Sequence, residues 1–216
     1  MRKETNKYFL TVEGETEKWY FDWLMEAINT DSNANYSVNF NCKIQKDPLK
    51  RAKSIASLEK VEITHIMDKE SENEVHSKQF ITTLDRMKAA EGLGKKIKYN
   101  LGYSNFTFEL WMILHKAECN GHLTNRNQYL SLINNAYSEN FENLKQYKHE
   151  NEFGRVLGKL ELFNVYDAIK RAKAIMQENQ KKNFTLHQYK KYCYYKENPS
   201  LSIWEIVDRV MNECFG

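Results

Sequence analysis

The chain has 216 residues and a mass of 25.7 kDa, and its 41% apolar and 13% aromatic content is enough to build a core and to exclude an intrinsically disordered segment. Its 32 basic and 29 acidic residues leave a net charge of +3, too small to mark a nucleic-acid binder by charge alone. No run approaches the roughly 18 consecutive apolar residues of a membrane helix, the polar start Met1-Arg2-Lys3-Glu4-Thr5-Asn6 leads into no signal-peptide core, and Cys42, Cys119, Cys193 and Cys214 lie too far apart for a C-x-x-C zinc or disulfide pattern. The expectation is a cytoplasmic protein without membrane association, its thiols reduced and mostly buried.

The first expected strand, 7–13, runs through Tyr8-Phe9-Leu10-Thr11-Val12 to Glu13 and stops at Gly14. A helix over about 16–29 follows, with Trp19, Tyr20, Trp23, Leu24, Ala27 and Ile28 at helical spacing and Lys18, Asp22 and Glu26 on the other side. Next come a strand at about 36–44, a helix at about 48–59 entered through Asp47-Pro48, a strand at 61–67 and a helix at about 74–90. Gly92 and Gly94 break the chain before a strand at 96–102 and a helix at about 106–117. Strands alternating with helices imply βαβ units, so the fold class is α/β: an open, mostly parallel sheet with helices on both faces. Beyond residue 120 no strand is expected, and 125–146, 161–179 and 200–214 read as helices, with Pro199 just before the last. The expected organisation is an α/β domain at 1–120 and a helical extension at 121–216 packed on it, the two able to form one globular unit.

Both acidic motifs follow strands. In an open α/β sheet ligands bind beyond the carboxyl ends of the strands, so Glu13 after the first and Asp68-Lys69-Glu70 after the third point to one shared acidic site. Clustered carboxylates of this kind chiefly hold hard divalent cations. Each motif also has a plainer reading. Glu13 can complement a helix N-terminus at about 0.3–1 kcal/mol, as can Glu15 in the first turn; Gly14 weighs against that alone, because it permits a tight turn and close approach by a ligand, and Glu13, Glu15 and Glu17 within five residues repel one another unless a cation balances them. Asp68 and Glu70, two apart in extended backbone, can face one ion or sit in a solvated turn with Ser71, Glu72, Asn73 and Glu74.

A third block, Ser104-Asn105-Phe106-Thr107-Phe108-Glu109-Leu110-Trp111-Met112-Ile113-Leu114-His115, reads as a helix apolar nearly all round, capped by Asn105 and therefore buried. Glu109 is its one acid, and a buried carboxylate needs a hydrogen-bonded partner or a metal, or takes up a proton; a structural and an active-site role both fit. His115 reads as a core histidine. In the last quarter, Lys170-Arg171-Ala172-Lys173, Lys181-Lys182-Asn183-Phe184 and Tyr189-Lys190-Lys191-Tyr192-Cys193-Tyr194-Tyr195-Lys196 interleave cations and aromatics, as a nucleic-acid surface does and as a solvated helix face over half-buried tyrosines also does.

Together the run Val12-Glu13-Gly14-Glu15-Thr16-Glu17-x-x-Tyr20-Phe21, the pair Asp68-x-Glu70, Ser104-Asn105-x-x-Phe108-Glu109-Leu110-Trp111-x-x-Leu114-His115, Tyr147-Lys148 and Asn198-Pro199-Ser200 resemble the RloB/AbiLii-type proteins of bacteria over nearly the whole chain. The resemblance implies a Toprim-like N-terminal part, the metal-binding α/β domain of topoisomerases, primases and several nucleases, and an association with restriction loci and abortive defence against phage. It implies that Glu13 acts as general acid/base or metal ligand and that Asp68 and Glu70 bind Mg²⁺ or Mn²⁺ at the two aspartate positions. Here glutamate replaces the second aspartate and Phe106 stands where a proline commonly follows Ser-Asn.

On these grounds the candidate catalytic acids are Glu13, Glu17 and Glu109, the metal ligands Glu13, Asp68 and Glu70, and the substrate contacts Ser104, Asn105 and Lys148. The expected activity is metal-dependent hydrolysis of a phosphodiester in RNA or DNA, tRNA among the substrates considered. The open alternatives are a non-catalytic nucleic-acid or partner-binding module and a Toprim-like enzyme acting on nucleotides. A partner protein encoded in the same locus and a homo-oligomer are further expectations.

Overall fold

The computed structural model describes residues 3–216, and all statements below concern those residues. β1 (Thr5–Val12) places Tyr8, Leu10 and Val12 on one face and Phe9 on the other, the period-two alternation of a strand buried on both sides. α1 (Glu15–Thr30) buries Tyr20, Phe21, Leu24 and Ile28 on the first of these faces. The chain returns in β2 (Ser37–Ile44), parallel to β1 along its whole length. It then crosses through α2 (Pro48–Ser54), which begins as expected with the Asp47 carboxylate accepting from the Leu49 amide at 3.0 Å and Pro48 in the first turn.

β3 (Val61–Asp68) pairs in parallel with β1 on the side away from β2. α3 (Glu74–Glu91), capped by Asn73, packs with α2 on the second face through Phe80, Leu84, Met87 and Ala90, and β4 (Ile97–Asn105) follows β3 in parallel. From β1 the chain thus runs outward in one direction to β2 and in the other to β3 and β4. The order reverses between β1 and β3, and a crevice opens at that point beyond the strand ends.

The second half differs from the expectation in several ways. α4 is short (Glu109–Leu114), and Asn105 is not its cap but the last residue of β4, with Phe108 at the cap position. The expected helix at 125–146 is broken into a 3₁₀ turn (Arg126–Gln128), α5 (Tyr129–Tyr137) and α6 (Leu144–Tyr147); α7 (Glu150–Leu157) and α8 (Leu162–Lys181) follow. Three short strands then appear where none was expected. β5 (Leu186–Tyr189) and β6 (Tyr192–Tyr195) form a hairpin, and β7 (Ser200–Leu201) pairs antiparallel with the end of β4 to extend the sheet to the order β2-β1-β3-β4-β7. α9 (Ile203–Phe215) closes the chain, and α4, α5, α8 and α9 share one apolar core with β1, β2 and α1. No helix is long and apolar enough to cross a membrane.

The hairpin shows where part of the basic-aromatic stretch lies. Tyr192 and Tyr194 are buried in the α3 side of the core, Lys190 pairs with Asp85 at 3.7 Å, and Lys191 pairs with Glu91. Those cations are spent on α3, and the tyrosines are core.

His115 is a core histidine, fully buried, with Nε2 3.1 Å from the Tyr20 hydroxyl and Nδ1 2.9 Å from the Trp111 carbonyl. His65, equally buried, joins β3 to β1 through Thr11 at 2.6 Å. Burial pushes the His65 pKa down to about 4 and that of His115 down to about 3. Both are neutral in the fold and charge in the unfolded chain below about pH 6.5, so their contribution is present above that pH and is lost as pH falls toward the folded values. His115→Gln should therefore lose less melting temperature than wild type between pH 7 and pH 5; an unchanged difference between the two pH values would refute this assignment.

Candidate functional site

Glu13 is the first residue past β1 and Asp68 the last of β3, so parallel pairing brings two residues 55 apart in sequence to one crevice. The link is direct: the Asp68 amide donates to Glu13 Oε2 at 3.2 Å. Gly14 makes the turn behind Glu13, and a Cβ there would stand 3.1 Å from Glu17 Oε2. A side chain at this position would crowd the Glu17 carboxylate, which lies buried and accepts from Thr16 Oγ1 at 3.2 Å. Glycine here is thus a matter of close approach and not of an unusual backbone angle.

Glu109 opens α4 with its side chain completely buried. The Thr107 hydroxyl bridges Glu109 to the strand-end acids, lying 3.2 Å from Asp68 Oδ2 and in a shorter hydrogen bond with Glu109 Oε2. One hydroxyl proton between two carboxylates leaves the trio one proton or one cation short. On its other oxygen Glu109 meets Lys148 Nζ at 2.8 Å. Lys148 is delivered by the α6 turn: Asn143 caps it, accepting from the Gln146 amide at 2.9 Å, and the buried Tyr147 ring packs against Phe141 and Phe153.

The electrostatics follow from burying several acids around one ammonium. Burial, then Glu17 and Glu109, hold the Asp68 carboxyl well above its usual range, with Lys148 opposing. Glu17 is raised by burial and by Glu109, again against Lys148. Glu13 is raised by burial and lowered in part by the Asp68 amide and by Lys46. Burial alone would lower Lys148, but Glu109, Asp68 and Glu17 outweigh it and keep the ammonium charged.

Of the expected site residues, Glu13, Asp68 and Glu70 share the wall of a cleft of about 600 Å³. Glu70 is turned to other partners there, 2.8 Å from His76 Nε2 and 3.3 Å from Arg126 Nη1. Glu17, Glu109 and Lys148 form a second group joined to Asp68 through Thr107 and through charge, off the cleft wall. Ser104 is the register partner of Asp68 on β4, buried, with its carbonyl accepting from the Lys69 amide at 2.8 Å. Asn105 is buried and donates to the Lys196 and Glu197 carbonyls at 2.8 and 3.1 Å, tying β4 to the segment before β7. Neither residue is on the cleft wall.

Two participants escaped the sequence reading. Thr107 stands two residues before Glu109, a Thr-x-Glu spacing that signals little by itself. Lys46 follows β2, and because β2 is the parallel neighbour of β1, a residue just past its carboxyl end comes beside Glu13. The donor chemistry, carboxylate oxygens short of positive charge, suits a hard cation with Glu13 and Asp68 as its holders. No group of three or more His, Cys, Asp or Glu side chains is already set at ion-binding spacing among the described residues, because Glu109 is drawn to Lys148 and Glu70 to His76 and Arg126.

Neither the curated proteins nor the solved structures contain a match to this sequence. A family model described as RloB-like protein matches residues 8–210, a span that includes every acid of the site and Lys148. The chain belongs to the RloB-like family.

Proposed function

We propose that the chain is a metal-dependent nuclease, hydrolysing a phosphodiester bond of RNA or DNA in the bacterial cytoplasm as part of defence against phage. The observation that carries the reading is that Glu13 and Asp68 line one cleft at the carboxyl ends of adjacent parallel strands, tied by the Asp68 backbone amide donating to Glu13 Oε2. Glu13 and Asp68 would hold Mg²⁺ or Mn²⁺, which would supply charge neutralisation of the phosphate and a water of lowered pKa. Glu13, on the wall of the cleft, would move the proton. Asp68 anchors the site to the buried Thr107–Glu109–Lys148 chain, which fixes its carboxylate from behind. The defence role, and with it a partner encoded in the same locus, rests on the resemblance noted in the sequence; the geometry supports the chemistry.

A second reading, a binding module of the same fold without catalysis, is favoured by one feature: Glu70, the expected third ligand, is occupied by His76 and Arg126. Metal binding separates the two. Mn²⁺ at about 100 times its Kd should stabilise the fold by roughly 2.7 kcal/mol, a rise of about 5–10 °C in Tm for a chain of this size. Asp68→Ala should remove that rise. A rise that persists in Asp68→Ala would place the ion elsewhere, and no rise in wild type would leave the non-catalytic module as the better reading.

A further inference from the structure

The cleft that holds Glu13 and Asp68 at one end continues along α3. Val75, Gln79, Thr82, Thr83 and Arg86 recur at three- and four-residue spacing and form one wall, so the groove follows about 16 Å of helix at about 1.5 Å per residue. Its volume of about 600 Å³ is that of a cleft that takes a ligand of a few rings, room for a short stretch of one strand.

The charges along it are divided unequally. Arg86 is held 2.5 Å from Asp47, and His76 is engaged with Glu70. Lys46 and Lys78 are both exposed, line the groove, and enter no ion pair among the described residues. A phosphate brought to Glu13 and Asp68 is repelled by them, and these two ammonium groups, from the loop after β2 and from α3, supply the attraction that offsets it. Val75, 61% exposed beside them, offers apolar contact to a sugar or base. Three of the cations anticipated from sequence are engaged elsewhere, Lys148 on Glu109 and Lys190 and Lys191 on α3.

We propose that this groove is the substrate channel, in which a single strand of nucleic acid lies along α3 with its phosphates on Lys46 and Lys78 and the scissile bond at Glu13 and Asp68. The assignment deepens the nuclease reading and rests on it for the identity of the ligand. It predicts a binding surface on the α3 side of the sheet edge and none on the hairpin.

The test uses the full chain in EDTA, where no divalent-dependent cleavage intervenes, with fluorescein-labelled 12-nucleotide RNA and DNA single strands and the corresponding duplexes, followed by anisotropy across a salt series. Wild type should bind the single strands in preference to the duplexes. Lys46→Ala/Lys78→Ala should weaken binding about tenfold or more at low salt and reduce the slope of log K against log[salt] by about 1.4, two contacts at about 0.7 each. Lys190→Ala/Lys191→Ala should leave both unchanged. Both lysines of the groove are exposed, so a matching circular dichroism spectrum and Tm in the double variant are expected and exclude a folding defect. Absence of binding by wild type, tighter binding of duplex, unchanged binding in the groove variant, or an equal loss in the hairpin variant would each overturn the channel. Cleavage with Mn²⁺ by a groove variant that binds and cleaves like wild type would overturn the channel and leave the nuclease reading standing; groove-dependent binding without any cleavage would do the reverse.

Discussion

Glu13→Gln is expected to lower metal-dependent cleavage by about two or more orders of magnitude while leaving affinity for the polynucleotide within about twofold. Glutamine keeps the shape of the side chain and its carbonyl can still accept from the Asp68 amide, so the turn at Gly14 and the pairing of β1 with β3 should persist. What disappears is the negative charge and the capacity to take up a proton. Measured at saturating Mn²⁺ the loss should appear in kcat, and measured against Mn²⁺ concentration it should also show a weakened metal dependence. Equal, metal-independent cleavage by wild type and variant would assign the activity to a contaminant.

Lys148→Met should be the most destabilising single change in the site. Glu109 is fully buried and Lys148 is its one cationic partner, so removing the ammonium leaves a charge in a low-dielectric interior, a situation that costs about 3 kcal/mol or more. For a chain of this length that is a fall of about 6–12 °C in Tm. Methionine keeps most of the side-chain volume and isolates the charge. Glu109→Gln in the same molecule should recover much of the loss, since the charge that lacked a partner is then gone, and Thr107 can still hydrogen-bond the amide. Simple additivity of the two changes, within about 0.5 kcal/mol, would show that the pair contributes nothing by its contact.

Local physics made the first half of the chain legible. Alternating apolar residues in β1, the Asp47-Pro48 entry to α2, and helical spacing in α1 are all settled by neighbours within a few positions, and the structure follows them closely. The strand-end position of Glu13 and Asp68 is of the same kind, because parallel βαβ topology by itself sends the carboxyl ends of β1 and β3 to one edge. β7 escaped for the opposite reason: Ser200 and Leu201 carry no strand signal, and their pairing exists only because β4 offers an open edge about a hundred residues earlier in the chain.

The pattern of acids likewise pointed to one shared crevice but not to how its charges are matched. Asp68 reaches Thr107 across 39 positions, Glu70 meets Arg126 across 56, and Lys190 and Lys191 find Asp85 and Glu91 across a hundred or more. Across such separations coulombic attraction has no sequence period to read, unlike the i,i+4 pair Lys18–Asp22 within α1. A lysine beside tyrosines looks the same whether it faces a phosphate or a carboxylate, and only the packed chain decides which acid stands in front of it. By itself the sequence determined the parallel sheet and the acidic strand ends, since these follow from side-chain alternation and chain direction. The tertiary structure alone decided that Lys148 neutralises Glu109 and that Lys46 and Lys78 line the cleft of Glu13 without an ion pair among the described residues, because a pair between residues far apart in the chain is made only by proximity in space.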